Sequence, residues 1–250
     1  MTFATLLNYH LMKIDILAFG AHPDDVELGC GATIAKSVSE GKSVGIIDLT
    51  QGEMGTNGSP EIRNKEAIKA ASILGVNFRK NLKFKDVYFK NDETHQNKII
   101  EIIRLYKPDI VLCNAIKDRH IDHRKASNLV SHSCFLSGLA KLETSDATGK
   151  NQLPWRPKVI YHYIQWKEIE PDVVVDVSDF IDQKITAVKA FSSQFYSSDN
   201  SKKSTPISSL NFIESVRYRA LNFGRLIGTQ AGEGFTTERY PSVKSITDLI

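Results

Sequence analysis

The sequence is poor in cysteine, in long apolar runs and in surplus charge of either sign. Three cysteines, Cys30, Cys113 and Cys134, are spread over 250 residues, which excludes a disulfide framework. This scarcity is typical of a reducing compartment, so we expect a cytoplasmic protein. No apolar run approaches the roughly 18 residues that a membrane-spanning helix needs.

The charges of the chain nearly cancel. Lys and Arg total 32 and Asp and Glu total 29, for a net charge of +3. Chains that bind nucleic acid or membrane surfaces usually carry a basic surplus, so we expect neither partner. The hydrophobic content of 41% is enough for a globular core.

The length fits one domain, although its first residues stand apart. Residues 1–11 lack the basic start and the cleavage site of a signal peptide. Met12 comes directly before the first clear strand. We therefore expect residues 1–11 to be an upstream extension and residues 12–250 to form a single domain.

Short apolar runs alternate with amphipathic segments along the chain. The runs predict strands at 14–19, 43–49, 109–113, 158–166 and 172–177, and the segment 83–90 predicts a further strand with a solvated face. The amphipathic segments predict helices at 28–40, 61–74, 92–106, 122–139, 179–191 and 208–227. This alternation is typical of βαβ units. The predicted fold class is α/β, a single Rossmann-like three-layer domain with a mostly parallel sheet and helices on both faces.

Two groups of histidine and aspartate follow two of the predicted strands. AHPDD (21–25) comes directly after the first strand, and DRHIDH (118–123) follows the strand at 109–113. The carboxyl ends of parallel strands share one edge of the sheet, so both groups are expected there. Two histidines and one carboxylate with open positions are typical of a catalytic metal site. Zinc is the expected metal, and ferrous iron also accepts these ligands.

The stretch AHPDDVELGCGATIA (21–35), with RHIDH (119–123), resembles the LmbE-like/PIG-L family of zinc-dependent N-acetylglucosaminyl deacetylases. The family's first signature, AHPDD, is intact, whereas its second, HPDH, has Ile121 in place of proline. That proline shapes a turn and carries no chemistry. The segments 47–67, 173–195 and 224–235 resemble the branch that deacetylates N-acetylglucosaminyl-malate in bacillithiol biosynthesis.

The resemblance implies a role for each residue of the two signatures. The metal ligands would be His22, Asp25 and His123, the general base Asp24, and the general acid His120, oriented by Asp122. The chemistry of these side chains agrees with the roles. A carboxylate can take a proton from zinc-bound water, whose pKa falls to about 7. An imidazole can protonate the departing amine.

Substrate contacts are implied less directly. The resemblance places Arg63 and Arg119 on the substrate, where their planar guanidinium groups would suit the malate carboxylates. Tyr196 is a further candidate for a contact with the substrate carbonyl. His162 lies in a predicted strand, where we expect it to pack rather than to line the cleft.

Other interpretations stay open at the level of sequence. A ferrous oxygenase would use the same ligands, but such sites usually occur in all-β folds. A nucleotide-binding Rossmann module would need G-x-G-x-x-G in the first turn, which is acidic here. The chain could also deacetylate chitin oligomers or mycothiol precursors, or bind metal or sugar without catalysis. A homo-oligomer fits the bacillithiol branch.

Overall fold

The computed structural model describes residues 13–195 and 203–249, and these form a seven-stranded sheet with helices on both faces. The strands are β1 (Ile16–Gly20), β2 (Val44–Thr50), β3 (Phe78–Phe84), β4 (Ile110–Cys113), β5 (Val159–Tyr163), β6 (Val173–Asp176) and β7 (Gly232–Thr237). Their order is β3-β2-β1-β4-β5-β7-β6. The pairs among β1 to β5 are parallel, whereas β7 runs antiparallel to β5 and β6.

The helices divide into two layers because the side chains of each strand alternate between the faces of the sheet. The helices are α1 (Asp25–Ser39), α2 (Pro60–Leu74), α3 (Glu93–Tyr106), α4 (Ile121–Leu136), α5 (Ile181–Lys189) and α6 (Leu210–Leu226). Ile16 and Ala18 of β1 pack with α1, α2, α5 and α6. Leu17 and Phe19 pack with α3 and α4. The predicted three-layer α/β fold is confirmed.

Two strands differ from the prediction. The strand predicted at 83–90 is wrong, because β3 ends at Phe84 and the following residues form a loop. The strand β7 is absent from the prediction, since its two glycines suggest a turn. A Cβ atom on Gly234 would lie 2.9 Å from Cζ of Phe223 on α6. Glycine is needed there because helix and strand approach so closely.

Some expectations concern residues beyond the described ranges. The proposed extension 1–11, Met12 and Tyr196 all lie outside the described residues. No helix within the two described stretches combines the length and the apolar character that crossing a membrane requires.

The strand order creates a crevice at the centre of the sheet. From the adjacent strands β1 and β4, the chain continues to β2 on one side and to β5 on the other. Connections that diverge in this way leave an opening beyond the carboxyl ends of the two strands. The AHPDD and DRHIDH segments follow those two ends, so the fold brings them together.

Candidate active site

The turn between β1 and α1 places Asp24 in an unusual backbone conformation. Its φ is 118° and its ψ is −22°, and its side chain makes no capping hydrogen bond to α1. A non-glycine residue in the left-handed region typically costs about 1–3 kcal/mol, and such residues cluster at functional sites. Asp25 follows as the first residue of α1.

The Asp25 carboxylate lies between two of the predicted metal ligands. Its Oδ1 is 3.1 Å from Nε2 of His123, and its Oδ2 is 3.4 Å from Nδ1 of His22. Asn114 Nδ2 donates to Oδ2 at 3.0 Å, and Gln165 Nε2 donates to Oδ1 at 2.8 Å. Burial raises the pKa of Asp25, but the two imidazoles outweigh that effect and hold the pKa well below its usual range.

A second pair of carboxylates holds the far nitrogens of the same imidazoles. Asp86 Oδ1 lies 3.0 Å from Nε2 of His22, and Asp118 Oδ2 lies 2.7 Å from Nδ1 of His123. A metal-binding histidine usually donates its other N–H to a carboxylate, which fixes its tautomer and its ring orientation. The contacts therefore leave Nδ1 of His22 and Nε2 of His123 for a metal.

The residues suit a divalent metal. Atoms that bind zinc tetrahedrally at about 2.0–2.1 Å lie about 3.4 Å apart, and the separations from Asp25 to the two imidazoles are close to this value. Nitrogen atoms of His22, His120 and His123 also lie within 4.8 Å of one another. The geometry thus brings the three predicted ligands together, with His120 beside them.

Asp24 is buried next to this group and contacts Arg63. Burial raises the pKa of Asp24 to about 7, although the Arg63 guanidinium counteracts the rise. Nη2 of Arg63 donates to Oδ2 of Asp24 at 3.1 Å, and Nη1 donates to the Gly52 carbonyl at 3.1 Å. Arg63, predicted to contact the substrate, lines the cavity, and its guanidinium is hydrogen-bonded to Asp24.

His120 faces the same cavity from the start of α4. Its Nδ1 accepts a hydrogen bond from the backbone N–H of Asp122 at 3.3 Å. The Asp122 carboxylate instead accepts from Val87 N at 3.0 Å and from Lys125 Nζ at 2.7 Å, and its Oδ2 lies 3.4 Å from Nε2 of His22. Asp122 thus contacts His120 through its backbone. Burial and the neighbouring imidazoles of His22 and His123 lower the pKa of His120.

These side chains open into a cavity of about 270 Å³. Asp24, Arg119, His120 and Gln165 line it, together with apolar residues of α6. The Arg119 guanidinium lies 4.6 Å from the centre of the Trp166 ring. Of the sequence-predicted site residues, the cavity brings together all except Asp122, which lies beneath it, and Tyr196, which is outside the described residues.

Four buried or half-buried residues of the site were missed by the sequence prediction: Asp86, Asn114, Asp118 and Gln165. A signal existed for Asp118, which belongs to the DRHIDH segment. Asp86 gave no signal, because its segment was predicted to be a strand. Asn114 follows β4 directly, so a search for polar residues at strand ends would have found it. Gln165 lies two residues beyond the end of β5 but within the strand predicted at 158–166, so the predicted strand end concealed it.

Comparisons with known proteins show which proteins this chain resembles. The family described as GlcNAc-PI de-N-acetylase, PIG-L, matches residues 17–134. A diacetylchitobiose deacetylase of Thermococcus kodakarensis is 31% identical over 190 residues, which cover 72% of this chain and 70% of that protein. A probable N-acetyl-alpha-D-glucosaminyl L-malate deacetylase 2 of Bacillus cereus is 26% identical, covering 73% and 84%. The conserved protein TT1542 of Thermus thermophilus superposes with a TM-score of 0.81 at 34% identity, covering 93% and 98%.

Proposed function

Because this chain belongs to the PIG-L family of N-acetylglucosamine deacetylases, we propose that it hydrolyses the acetamide of N-acetylglucosaminyl-malate to acetate and a free amine. One observation carries the proposal. Asp24 and His120 line the same cavity as the group formed by His22, Asp25 and His123. That arrangement would allow Asp24 to act as the base and His120 as the acid in the hydrolysis of an acetamide.

Each protein group has a distinct task in this reaction. A divalent metal at His22, Asp25 and His123 would polarise the acetamide carbonyl and lower the pKa of water. Asp24 takes the proton of the attacking water, and a pKa of about 7 suits a general base at neutral pH. His120 protonates the departing nitrogen. A lowered pKa makes its imidazolium form a stronger acid, which favours that transfer.

The malate group is proposed to bind Arg119. The guanidinium lies over the ring of Trp166, a contact with the ring face that leaves its N–H groups available as donors. These donors suit the two oxygens of a carboxylate. The other cavity-lining arginine, Arg63, is engaged with Asp24. The similarity to the probable N-acetyl-alpha-D-glucosaminyl L-malate deacetylase 2 of Bacillus cereus also supports the malate conjugate as the substrate.

A neutral N-acetylated disaccharide is the second candidate substrate, supported by the Thermococcus kodakarensis relative. The two candidates are separated by acetate release from synthetic N-acetylglucosaminyl-malate and from N,N'-diacetylchitobiose, with zinc content measured on the same preparation. We expect faster release from the malate conjugate, abolished by a chelator. Faster release from the disaccharide would overturn the malate assignment. Release from neither substrate would overturn the proposed function.

Replacing Arg119 by glutamine should raise the KM for the malate conjugate about tenfold or more, because a charge-assisted hydrogen bond is lost. The KM for diacetylchitobiose should change less than about twofold, since that substrate carries no carboxylate. Steady-state kinetics on both substrates test this. Lys117→Gln removes one exposed positive charge two residues away and serves as the control. An equal effect of Arg119→Gln on both substrates would contradict the proposed contact.

A further inference from the structure

We propose that His162 is a positioning residue that fixes two of the metal ligands, Asp25 and His123, from behind. The inference rests on the proposed function in one respect, namely that these two residues bind the metal. His162 itself touches neither the cavity nor the proposed substrate site. It acts through Asn114 on one ligand and through Ser127 on the other.

His162 lies in the interior of the sheet. It belongs to β5, where it pairs with Cys113 of β4 and with Thr236 of β7. Its relative exposure is 2%. A buried imidazole needs hydrogen-bond partners for both of its nitrogens, because an unmade hydrogen bond is costly in the interior.

The two nitrogens of His162 face different groups. Nε2 is 3.0 Å from Oε1 of Glu238, a half-exposed residue that follows β7. Nδ1 is 3.1 Å from the carbonyl oxygen of Asn114, 2.9 Å from Oγ of Ser127 and 3.2 Å from Sγ of Cys113. The Asn114 carbonyl oxygen and the Glu238 carboxylate can only accept, so both contacts together correspond to the imidazolium form, in which Nδ1–H donates to Asn114 and Nε2–H donates to Glu238. Glu238 therefore anchors the imidazole through Nε2. The Nδ1 edge of the same ring restrains Asn114, the first residue after β4.

Asn114 links this restraint to Asp25. Its backbone carbonyl faces His162, and its side chain faces the β1–α1 turn. Oδ1 of Asn114 accepts from the Ala21 N–H at 2.9 Å, and Nδ2 donates to Oδ2 of Asp25 at 3.0 Å. Asn114 is fully buried. A shift of its backbone would move the group that holds the Asp25 carboxylate.

Ser127 provides the second link, to His123. The two residues are four positions apart on α4, so Ser127 lies one helical turn below the ligand. Its relative exposure is 1%. The contact between Ser127 and the His162 imidazole fixes the rotation of this part of α4 against β5. His162 thus restrains ligands that come from opposite sides of the crevice.

The proposal is tested by the Zn²⁺ dissociation constant of the His162→Leu variant. This constant is measured by competition with a chromophoric chelator. Loss of a partner that orients metal ligands typically weakens metal affinity about 10–100-fold, and we expect a loss in that range. His162→Gln, whose amide N–H can donate to Asn114, should recover part of the loss. Ile160→Ala, on the same strand, is the matched control, because it removes partly buried apolar volume and leaves the hydrogen bonds of Asn114 and Ser127 in place.

A purely structural role predicts a different pattern. His162→Leu and Ile160→Ala would then lower Tm to similar extents and leave Zn²⁺ affinity close to wild type, which would overturn the proposal. If His162→Leu fails to fold, Glu238→Ala removes the exposed anchor of the ring and should weaken Zn²⁺ binding severalfold. Unchanged affinity in that variant would also overturn the proposal. Failure of the wild type to bind Zn²⁺ would instead contradict the proposed metal site.

Discussion

Replacing Asp24 by asparagine should lower kcat by about 10²–10⁴-fold, which is the usual contribution of a general base. The reason is that the amide cannot take a proton from the attacking water. Zinc content should stay at the wild-type level, because the contact of the Asp24 side chain is with Arg63 and the ligands keep their own partners. Acetate release and zinc stoichiometry, measured on one preparation, test both expectations.

Asp92→Asn is a suitable control for this substitution. Asp92 caps the start of α3, where asparagine caps equally well. The same chemical change is thereby made away from the cavity. Loss of zinc from Asp24→Asn would show that Asp24 is a ligand, and retained kcat would show that another group is the base.

Replacing His123 by alanine should have the largest effect on metal binding. Loss of the imidazole removes one ligand and leaves Oδ2 of the Asp118 carboxylate without its imidazole partner. We expect Zn²⁺ affinity to fall by more than about 100-fold, beyond the 10–100-fold typical of an outer partner. Isothermal titration of metal-free protein with Zn²⁺ gives the comparison.

His120→Ala is compared with His123→Ala, because nitrogen atoms of His22, His120 and His123 lie within 4.8 Å of one another. By position, either His120 or His123 could bind the metal. A general acid can be removed without loss of metal, so this variant should keep its Zn²⁺ affinity and lose about 10²–10⁴-fold in kcat. If His120→Ala loses the metal while His123→Ala keeps it, the two histidines have exchanged roles.

The meeting of the two signatures could be predicted from sequence because it depends on few assumptions. Each signature follows a short apolar run, and parallel strands end at one edge of the sheet. The position of β1 next to β4 then brings His22 and His123 to either side of Asp25. The sheet topology thus brings the two signatures together, whereas the role of each residue is implied by the family resemblance.

The remainder of the site depends on tertiary contacts that leave no local pattern. Asp86 reaches His22 from the loop after an edge strand whose residues are mostly half-buried, so apolar periodicity could not define its end. Arg63 resembles a surface charge in the first turn of a helix. Its burial against Asp24 follows from the approach of α2 to the β1–α1 turn, for which the sequence carries no local signal.

The left-handed backbone and the burial of Asp24 both make this residue unfavourable for folding stability. Glycine or asparagine would adopt that conformation with less strain. Burial raises the Asp24 pKa from 3.8 to about 7. Its contribution to folding stability therefore falls as pH rises between those values, since the unfolded chain releases the proton first. Selection for thermal stability alone would favour replacing Asp24, whereas the proposed role as general base would retain it.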